Sequence, residues 1–345
     1  MGLFGRNKSS IGLDIGSGFV KVVEVDHSGD APRVSRVAMR PLLPDTIVEG
    51  EIMDYQVVSD TVSGLFQEIG KKGSNVVTAI GGHDVIIKKI EMDRMSEEDA
   101  REVIRWEAEQ HVPFDIKSVE LDFQILNPDE EGLQMEVLLV AAKRELVDNK
   151  VSLLVDAGVT PSVIDVDAFA IHNAFEHNHP DGMRGVVALV NVGHEVTNVN
   201  ILEDGVPILT REIPFGSRRV REDLQRERGL TAEQAEAVVQ GADQVTDLQH
   251  FVDASADEVA VGIERAAAFL MTRQSDEGLG KVFLSGGGAR IPGMVETLGT
   301  RMNVETRLVS TFERVDVAPD AAGDIDLEAA APMLLLPLGL ALREA

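Results

Sequence analysis

An aspartate and a lysine flank a glycine-bearing turn near the start of the chain. Asp14 precedes Gly16, Ser17 and Gly18, and Lys21 follows them. The turn could contact phosphate oxygens through the backbone amides of its two glycines and through the serine hydroxyl. Lys21 could add a point charge to the phosphate, and Asp14 could hold a hydrated Mg²⁺ through water. These residue types fit a phosphate site, although such hairpins are also common for structural reasons alone.

A second stretch repeats this plan about half a chain length later. Residues 11–25 and 187–202 both combine a strand, a polar residue two places before a glycine, a tight turn and a returning strand. Internal repeats indicate duplicated structural units. We therefore expect two related lobes, each presenting one hairpin turn to a common cleft.

Three consecutive glycines form a third element of the site. Gly286, Gly287 and Gly288 lie between an apolar strand at 282–285 and a helix at 291–302. Backbone that carries no side chains lets a flat ligand lie against it. One such loop is weak evidence by itself. Two glycine hairpins followed by it in this order favour one shared ligand site.

Hydrophobic periodicity predicts the elements that position these loops. The expected helices of the first half are 54–70, 96–113, 143–157 and 167–177, and the expected strands are 76–80, 85–90, 118–126 and 134–142. Ser96 has a side chain suited to capping the second helix, and Pro113 ends it. Residues 88–165 then form strand, helix, hairpin, helix and strand, which predicts an inserted α+β unit.

The expected fold class is α/β with two lobes, residues 1–184 and 185–345. The second lobe includes a polar and mostly helical stretch, which we expect to form its own subdomain. The predicted boundaries are 9–87 and 166–184 around the insertion in the first lobe, and 185–215 and 275–345 around the helical unit 216–274 in the second.

Composition excludes several classes of function. The chain has 345 residues, 44% of them hydrophobic, a formal net charge of -27 and no cysteine. The charge argues against nucleic-acid binding and against a polybasic grip on lipid. The lack of cysteine excludes disulfides, thiol catalysis and zinc–thiolate sites.

Residues 1–8 lack a signal peptide's apolar run, and the apolar stretch at 332–342 is too short to cross a bilayer. We therefore expect a soluble protein without direct membrane insertion.

Four segments resemble the actin-like ATPase superfamily, which includes actin, Hsp70, sugar kinases and FtsA. Residues 14–21 resemble its first phosphate loop, 191–198 its second, and 285–293 its adenosine motif. Residues 214–236 resemble the helical segment whose glutamate contacts the ribose. The resemblance implies a two-lobed actin-like fold that binds ATP or ADP with Mg²⁺. It adds to the nucleotide-binding set Gly193, His194, Thr197, Glu236 and Arg290.

One family resembles the chain along nearly its whole length: PilM, the actin-like cytoplasmic protein of type IV pilus assembly. The segments that carry this resemblance are 2–6, 90–95, 104–114 and 338–343, together with Asp122. The run from Trp106 to Phe114 is the most specific of them. The insertion lies where PilM and FtsA carry subdomain 1C.

The family resemblance implies a scaffold that binds the cytoplasmic N-terminal tail of the membrane protein PilN near subdomain 1C. Trp106, Pro113 and Phe114 are the candidate contacts on this chain. The resemblance further implies other pilus machinery proteins as partners, allows a homodimer, and implies a cytoplasmic location at the inner membrane through a partner.

Departures from the superfamily pattern concern hydrolysis. Asn191 and His194 stand where acidic residues are usual in the second phosphate loop, and Val239 replaces a lysine three residues after Glu236. Carboxylates there organise Mg²⁺ and the attacking water. The resemblance therefore implies weak ATPase activity or none, and no catalytic residue is assigned.

Two alternatives remain open beside the scaffold. The chain could be an active enzyme, either an actin-like ATPase or a small-molecule kinase of the same fold. It could also be a polymerising, membrane-associated protein like FtsA. That family usually ends in an amphipathic membrane helix, and the sequence given stops at Ala345 without one. This argues against the FtsA-like alternative, and Asn191 and His194 argue against the enzyme, so we expect the scaffold.

Two further clusters have structural explanations. Arginines at 218–228 alternate with acidic residues and are expected to pair with Glu222, Asp223 and Glu227. Histidines at 172, 177 and 179 are expected to decorate the end of a helix rather than to hold a metal.

Overall fold

Two mixed sheets form the framework of the computed structural model, which describes residues 9–71, 73–128, 131–243, 245, 247–271 and 278–343. Residues 2–6, which contribute to the family resemblance, lie outside this range. The strands are β1 (Ser9–Ile15), β2 (Phe19–Asp26), β3 (Arg33–Pro41), β4 (Ile47–Val48), β5 (Glu51–Ile52), β6 (Val76–Ile80), β7 (Val85–Asp93), β8 (Val119–Ile125), β9 (Gln134–Lys143), β10 (Pro161–Val166), β11 (Val186–Val192), β12 (Thr197–Glu203), β13 (Val206–Ile213), β14 (Lys281–Ser285), β15 (Glu305–Leu308) and β16 (Asp316–Val317).

Ten α-helices pack around these strands within the described residues. They are α1 (Tyr55–Glu68), α2 (Glu97–Ala108), α3 (Arg144–Asp156), α4 (Asp167–Asn178), α5 (Ser217–Arg228), α6 (Ala232–Val239), α7 (Leu248–Met271), α8 (Met294–Met302), α9 (Leu327–Ala330) and α10 (Leu335–Leu342). No helix in that part of the chain combines the length and apolarity that a bilayer span requires.

The two large sheets share one topology. The first has the order β10-β6-β1-β2-β3-β16, and the second has the order β13-β12-β11-β14-β15. In each, a three-stranded antiparallel meander is followed by two parallel strands, since β1 and β6 correspond to β11 and β14. The duplication predicted from the two hairpins is therefore present. The carboxyl ends of the parallel strands in each sheet lie on the edge that carries its hairpin turn.

Buried valines explain why the central strands form. Along β2, Val20, Val22, Val23 and Val25 are fully buried because helices cover both faces of the sheet. Helix α1 packs its buried face of Val58, Val62, Leu65 and Phe66 into the core on one face, which contains Val20 and Val22. Its first turn is fixed by Asp54, whose carboxylate accepts a hydrogen bond from the amide of Val57.

The inserted unit is smaller than the sequence indicates. A three-stranded antiparallel sheet, β7-β9-β8, packs against α2. Ser96 caps α2 as predicted, because its hydroxyl accepts from the amide of Asp99. By contrast, Leu153 and Leu154 of α3 belong to the core of the first lobe, and β10 pairs with β6. The predicted range 88–165 therefore includes helix α3 and strand β10, which belong to the first lobe. The three-stranded sheet of the inserted unit ends at Lys143.

The C-terminal segment returns to the first lobe. We expected all of 275–345 to complete the second lobe, but β16 pairs with β3. Helix α10 lies across β1, where a Cβ on Gly12 would overlap the carbonyl oxygen of Pro337. Gly339 of α10 faces α4, where a Cβ would overlap the carbonyl oxygen of Ala170. Two glycines thus allow backbone-to-backbone contact that no local sequence period reveals.

Candidate functional site

The first hairpin places opposite charges side by side. Asp14 and Lys21 face each other across the β1–β2 register. Their carboxylate Oδ2 and ammonium Nζ are 2.5 Å apart, with both side chains largely buried. The amide of Gly16 donates to the carbonyl of Phe19 at 3.1 Å and closes the turn. The predicted phosphate turn therefore has a charged pair at its base.

The second hairpin has the same turn with different chemistry. The amide of Gly193 donates to the carbonyl of Val196 at 2.9 Å, as Gly16 does in the first turn. The facing pair is Asn191 and Asn198 rather than an acid and a lysine. Thr197, a predicted nucleotide contact, is fully buried and donates its hydroxyl to the carbonyl of Phe215 at 2.8 Å. In this structure its hydroxyl serves the fold.

The two turns meet at a histidine. A Cβ on Gly18 would lie 3.0 Å from Cγ of His194, so the imidazole stands directly against the first turn. Arg221 donates to Nε2 of His194 at 2.9 Å, and its other terminal nitrogen lies 2.8 Å from a carboxylate oxygen of Glu236. Burial, reinforced by the charge of Arg221, lowers the pKa of His194 to about 4. His194 is therefore neutral at pH 7 and accepts a hydrogen bond.

The glycine loop packs against the second hairpin. Gly286 has φ +88°, and a Cβ there would overlap the carbonyl oxygen of Val192. A Cβ on Gly288 would overlap the side chain of Val192, whereas the nearest atom to one on Gly287 is a sulfur 3.5 Å away. Gly286 and Gly288 are thus required for packing. Of the three, Gly287 leaves the most room for a ligand.

Arg290 lies at the end of this loop, close enough to Glu236 for their charges to interact. Its guanidinium is half-buried, and burial lowers its pKa while the charges of Glu236 and Asp326 oppose that shift. Glu236 therefore interacts with Arg290 as well as with Arg221. The predicted ribose and adenosine residues come together beside the second turn.

Asp167 and Lys150 are the site residues that sequence reasoning missed. Strands β1, β6 and β10 run parallel, so Asp14, Gly81 and Asp167 lie at neighbouring strand ends. Burial, with the nearby charge of Asp14, raises the pKa of Asp167 to about 6. Burial lowers the pKa of Lys150 against the opposing charges of Asp167 and Asp14. The available signal was an aspartate opening a helix immediately after a parallel strand.

These groups form a compact charged cluster on the first lobe. From the first lobe it contains two carboxylates, Asp14 and Asp167, and two ammonium groups, Lys21 and Lys150. The charge of Glu212, from β13 of the second lobe, also acts on Asp167. Carboxylate oxygens suit a hydrated divalent cation, and ammonium groups suit phosphate. The cluster can therefore hold both components of a Mg²⁺–polyphosphate ligand.

The basic run on α5 is paired with acids. Arg218 contacts Glu222, and Arg226 contacts Asp223 and Glu227, as predicted. Other members pair with acids of other segments, Arg219 with Glu258, Arg221 with Glu236 and Arg228 with Asp247. This helix therefore offers little free positive charge.

The candidate partner residues lie on the inserted unit. Trp106 is 73% exposed on the outer face of α2. Pro113 is exposed, and the half-buried ring of Phe114 lies 4.9 Å from the ammonium of Lys143. Trp106 thus projects from the helix into solvent.

Comparison with known proteins identifies similar chains. The family model described as "Type IV pilus assembly protein PilM" matches residues 12–345. A chain of the "PilM-PilN type IV pilus biogenesis complex" is 29% identical, with a TM-score of 0.82 over 98% of this chain and 99% of that one.

Two more distant structures show the fold alone. The ethanolamine utilization protein EutJ from Carboxydothermus hydrogenoformans is 18% identical, with a TM-score of 0.51 over 97% and 89% of the two chains. MreB5 of Spiroplasma citri bound to ADP is 12% identical, with a TM-score of 0.50 over 97% and 95%. The predicted actin-like fold is confirmed.

Proposed function

The chain belongs to the PilM family of type IV pilus assembly proteins, and on that basis we propose that it is a nucleotide-binding scaffold. It binds ATP or ADP with Mg²⁺ between its two lobes and binds the cytoplasmic N-terminal segment of a PilN-like membrane protein. The observation that carries the proposal is the near-full-length similarity to a PilM chain from a PilM–PilN complex. A cytoplasmic location, held at the inner membrane through that partner, belongs to the same proposal.

The charged first hairpin supports the nucleotide part of the proposal. Asp14 would hold Mg²⁺ through water, and the ion would neutralise phosphate charge. The amides at Gly16 and Gly18 and the charge of Lys21 would hold the phosphates. Beside the second turn, Gly287, Arg290 and Glu236 would bind the adenosine. Lys150 and Asp167 join this set because they share the Asp14 cluster.

The second turn supports slow hydrolysis or none. Asn191 carries no charge, and His194 is neutral with its Nε2 already accepting from Arg221. Neither side chain can supply the negative charge that organises Mg²⁺ and an attacking water. The actin-like ATPase remains the second candidate, because Asp167 adds a carboxyl group with a pKa of about 6 near Asp14.

Calorimetry of the purified chain with Mg²⁺-ATP and Mg²⁺-ADP tests nucleotide binding. We expect Asp14→Ala to weaken binding and Asp60→Ala, an exposed acid on α1, to leave it unchanged. Phosphate release over hours distinguishes scaffold from ATPase. Sustained turnover that requires Asp14 would favour the enzyme, and no binding of either nucleotide would reject the nucleotide part.

A peptide pull-down tests the partner proposal. The probe is a synthetic N-terminal segment of a PilN-like protein, presented to the full chain with and without nucleotide. Exposed aromatic side chains are frequent anchors in interfaces, so Trp106→Ala should lose the peptide. Leu133→Ala is the matched control, because Leu133 is also apolar, exposed and on the inserted unit. Equal binding by wild type and Trp106→Ala would remove Trp106 from the contact surface.

A further inference from the structure

The segment between β3 and α1, residues 42–54, lies beside both phosphate turns. It begins at Leu42, whose amide donates to the carbonyl of Gly18 at 3.0 Å. It contains the small β4–β5 hairpin, and the amides of Met53 and Asp54 both donate to the carbonyl of Thr46. We call residues 42–54 the strap. Its internal hydrogen bonds give it a defined shape, so contacts at one end can affect the other.

The strap is attached to the second lobe by two polar contacts. The guanidinium of Arg218, at the start of α5, lies 2.7 Å from a carboxylate oxygen of Asp45 in the strap. The amide of Glu49 donates to Oε2 of Glu195 at 2.8 Å. Glu195 belongs to the second phosphate turn, between Gly193 and Thr197. The strap therefore contacts the first turn through the Leu42 amide and the second through the Glu49 amide, and its Asp45 side chain contacts α5.

Arg218 holds these pieces together. It makes three contacts of 2.7 Å, to Asp45 of the strap, Glu195 of the turn and Glu222 of its own helix. Hydrogen bonds to Glu222 and Asp45 are the main causes that raise its pKa. Three anions around one guanidinium fix its orientation, since its donors point in a rigid fork. A lysine could not reproduce all three contacts.

The burial of Glu195 gives the arrangement its strength. Its side chain is only 9% exposed, and its two oxygens are taken by Arg218 and by the amide of Glu49. Opening the strap leaves this carboxylate poorly solvated and partly unpaired, which is costly. The Asp45 contact is weaker by itself because Asp45 is 68% exposed.

We propose that the strap restrains movement of the two lobes at the phosphate turns and that Arg218 is the positioning residue that closes it. This inference rests on the proposed nucleotide binding and concerns how fast nucleotide enters and leaves. All the contacts are between protein groups and none requires a ligand. The strap therefore slows nucleotide entry and nucleotide release alike. Removing the Arg218 contacts raises both rates and changes the ratio of the two rates much less.

Stopped-flow fluorescence with a mant-labelled nucleotide on the full chain tests this. Loss of a largely buried charge contact should raise the release and association rates of Arg218→Ala about tenfold, and of Asp45→Asn about threefold. Arg218→Lys should fall between wild type and Arg218→Ala. The matched control is Arg219→Ala, which removes the neighbouring arginine and its contact to Glu258 within the second lobe. Unchanged rates in Arg218→Ala, or faster release alone, would overturn the proposal, because the second result describes a direct ligand contact.

Amide hydrogen exchange tests the strap without nucleotide. The Glu49 amide should exchange faster in Arg218→Ala and at the wild-type rate in Arg219→Ala, because only the first change frees Glu195. If wild type binds no nucleotide, the proposed function fails while this measurement still decides the strap. Equal protection of residues 42–54 in both variants would overturn it.

A cross-link provides the opposite perturbation. The chain has no cysteine, so Asp45→Cys with Glu222→Cys introduces a unique pair. Both carboxylates lie 2.7 Å from the same guanidinium, so a short thiol-to-thiol linker can join the two cysteines. With the linker closed, preloaded nucleotide should be retained longer than in the unlinked double variant. Release at the same rate in both would contradict the role of the strap.

Discussion

The two hairpins have the same backbone hydrogen-bonding pattern, but one carries charged side chains where the other carries neutral ones. Asp14 faces Lys21 in the first, and Asn191 faces Asn198 at the equivalent register positions of the second. The first hairpin carries an ion pair with its two charged atoms 2.5 Å apart. The second carries two neutral amides, and beside them Thr197 donates to a backbone carbonyl and His194 accepts from Arg221. Duplication preserved the turn geometry and not the charges. We infer that the first lobe supplies electrostatic attraction and the second supplies shape.

The covering of the two sheets also differs. Gly12 in β1 and Leu189 in β11 occupy equivalent positions, opposite Val23 and Asn200. At Gly12 the backbone of α10 lies against the strand, whereas Leu189 fills that space with a side chain. The first hairpin is therefore supported from behind by the returning C-terminal helix.

Gly12→Ala should have the largest effect on this comparison. The added methyl would overlap the backbone carbonyl of Pro337, and backbone cannot move aside as a flexible side chain can. We expect a loss of about 3 kcal/mol in the free energy of unfolding, at the upper end for overpacking. Urea denaturation measures it. Gly29→Ala is the control, because a Cβ there meets only one atom, at 3.6 Å. A loss below 1 kcal/mol would show that α10 does not press on β1.

Asp14→Ala should have the largest effect on ligand binding. Removing the acid also leaves Lys21 without its partner at 2.5 Å. Hydrogen bonds to charged groups contribute about 1.5–3 kcal/mol, so we expect the Kd for Mg²⁺-nucleotide to rise about 10–100-fold. Asn191→Ala, at the equivalent position, should raise it less than about fivefold. Equal losses in the two variants would erase the proposed division between the lobes.

Local patterns predicted much of this arrangement. The hairpins, the glycine loop, the cap at Ser96 and the acid partners of the arginine run all depend on short-range spacing, and the structure has them. The C-terminal return was missed, because periodicity identifies a helix without saying which sheet it covers. Gly12 was the available hint, since a glycine inside a strand often marks a close backbone approach.

Asp167 and Lys150 were missed for a related reason. The proximity of Asp167 to Asp14 arises from the strand order β10-β6-β1, which brings distant segments to one edge. Lys150 comes from α3, which packs against β6 and β10. In the sequence they are an isolated acid at a helix start and a lysine in a charged helix. Neither type is unusual at such positions. The parallel pairing of three strands, with α3 packed against two of them, brings both residues to Asp14.

The pH dependence of stability should distinguish the second turn from the charged cluster around Asp14. His194 has a folded pKa of about 4, below its usual 6.5, so between these values the unfolded chain holds more protons and acid destabilises the fold. Asp167 has a folded pKa of about 6, above its usual 3.8, so acid stabilises the fold in an overlapping window. The two slopes oppose each other in the wild type. Each contribution is about 1–2 kcal/mol after allowance for solvent.

Single variants expose these opposing slopes. Relative to wild type, the free energy of unfolding of His194→Gln should rise by about 1–2 kcal/mol on going from pH 8 to pH 4.5. That of Asp167→Asn should fall by a similar amount over the same change. The reason is that the amide stabilises the fold relative to wild type only where wild-type Asp167 is ionised. Denaturation of the three proteins at both pH values measures this. Parallel curves for all three would mean that neither group titrates abnormally.

Asn191→Asp should have the smallest effect and the most direct meaning. The substitution keeps size and shape, so it fits beside Ser285, whose hydroxyl lies 3.4 Å from Oδ1 of Asn191. It restores the charge that the first hairpin has and the second lacks, and a second carboxylate can help to organise Mg²⁺ and water. We expect phosphate release to rise by less than about tenfold, because His194 and Arg221 still occupy the space beside the turn.

Asn198→Asp, on the facing strand, adds the same charge as a control. A rise in both variants would mean that any negative charge in the second hairpin suffices, whereas a rise in Asn191→Asp alone would show that hydrolysis requires a carboxylate at the position equivalent to Asp14.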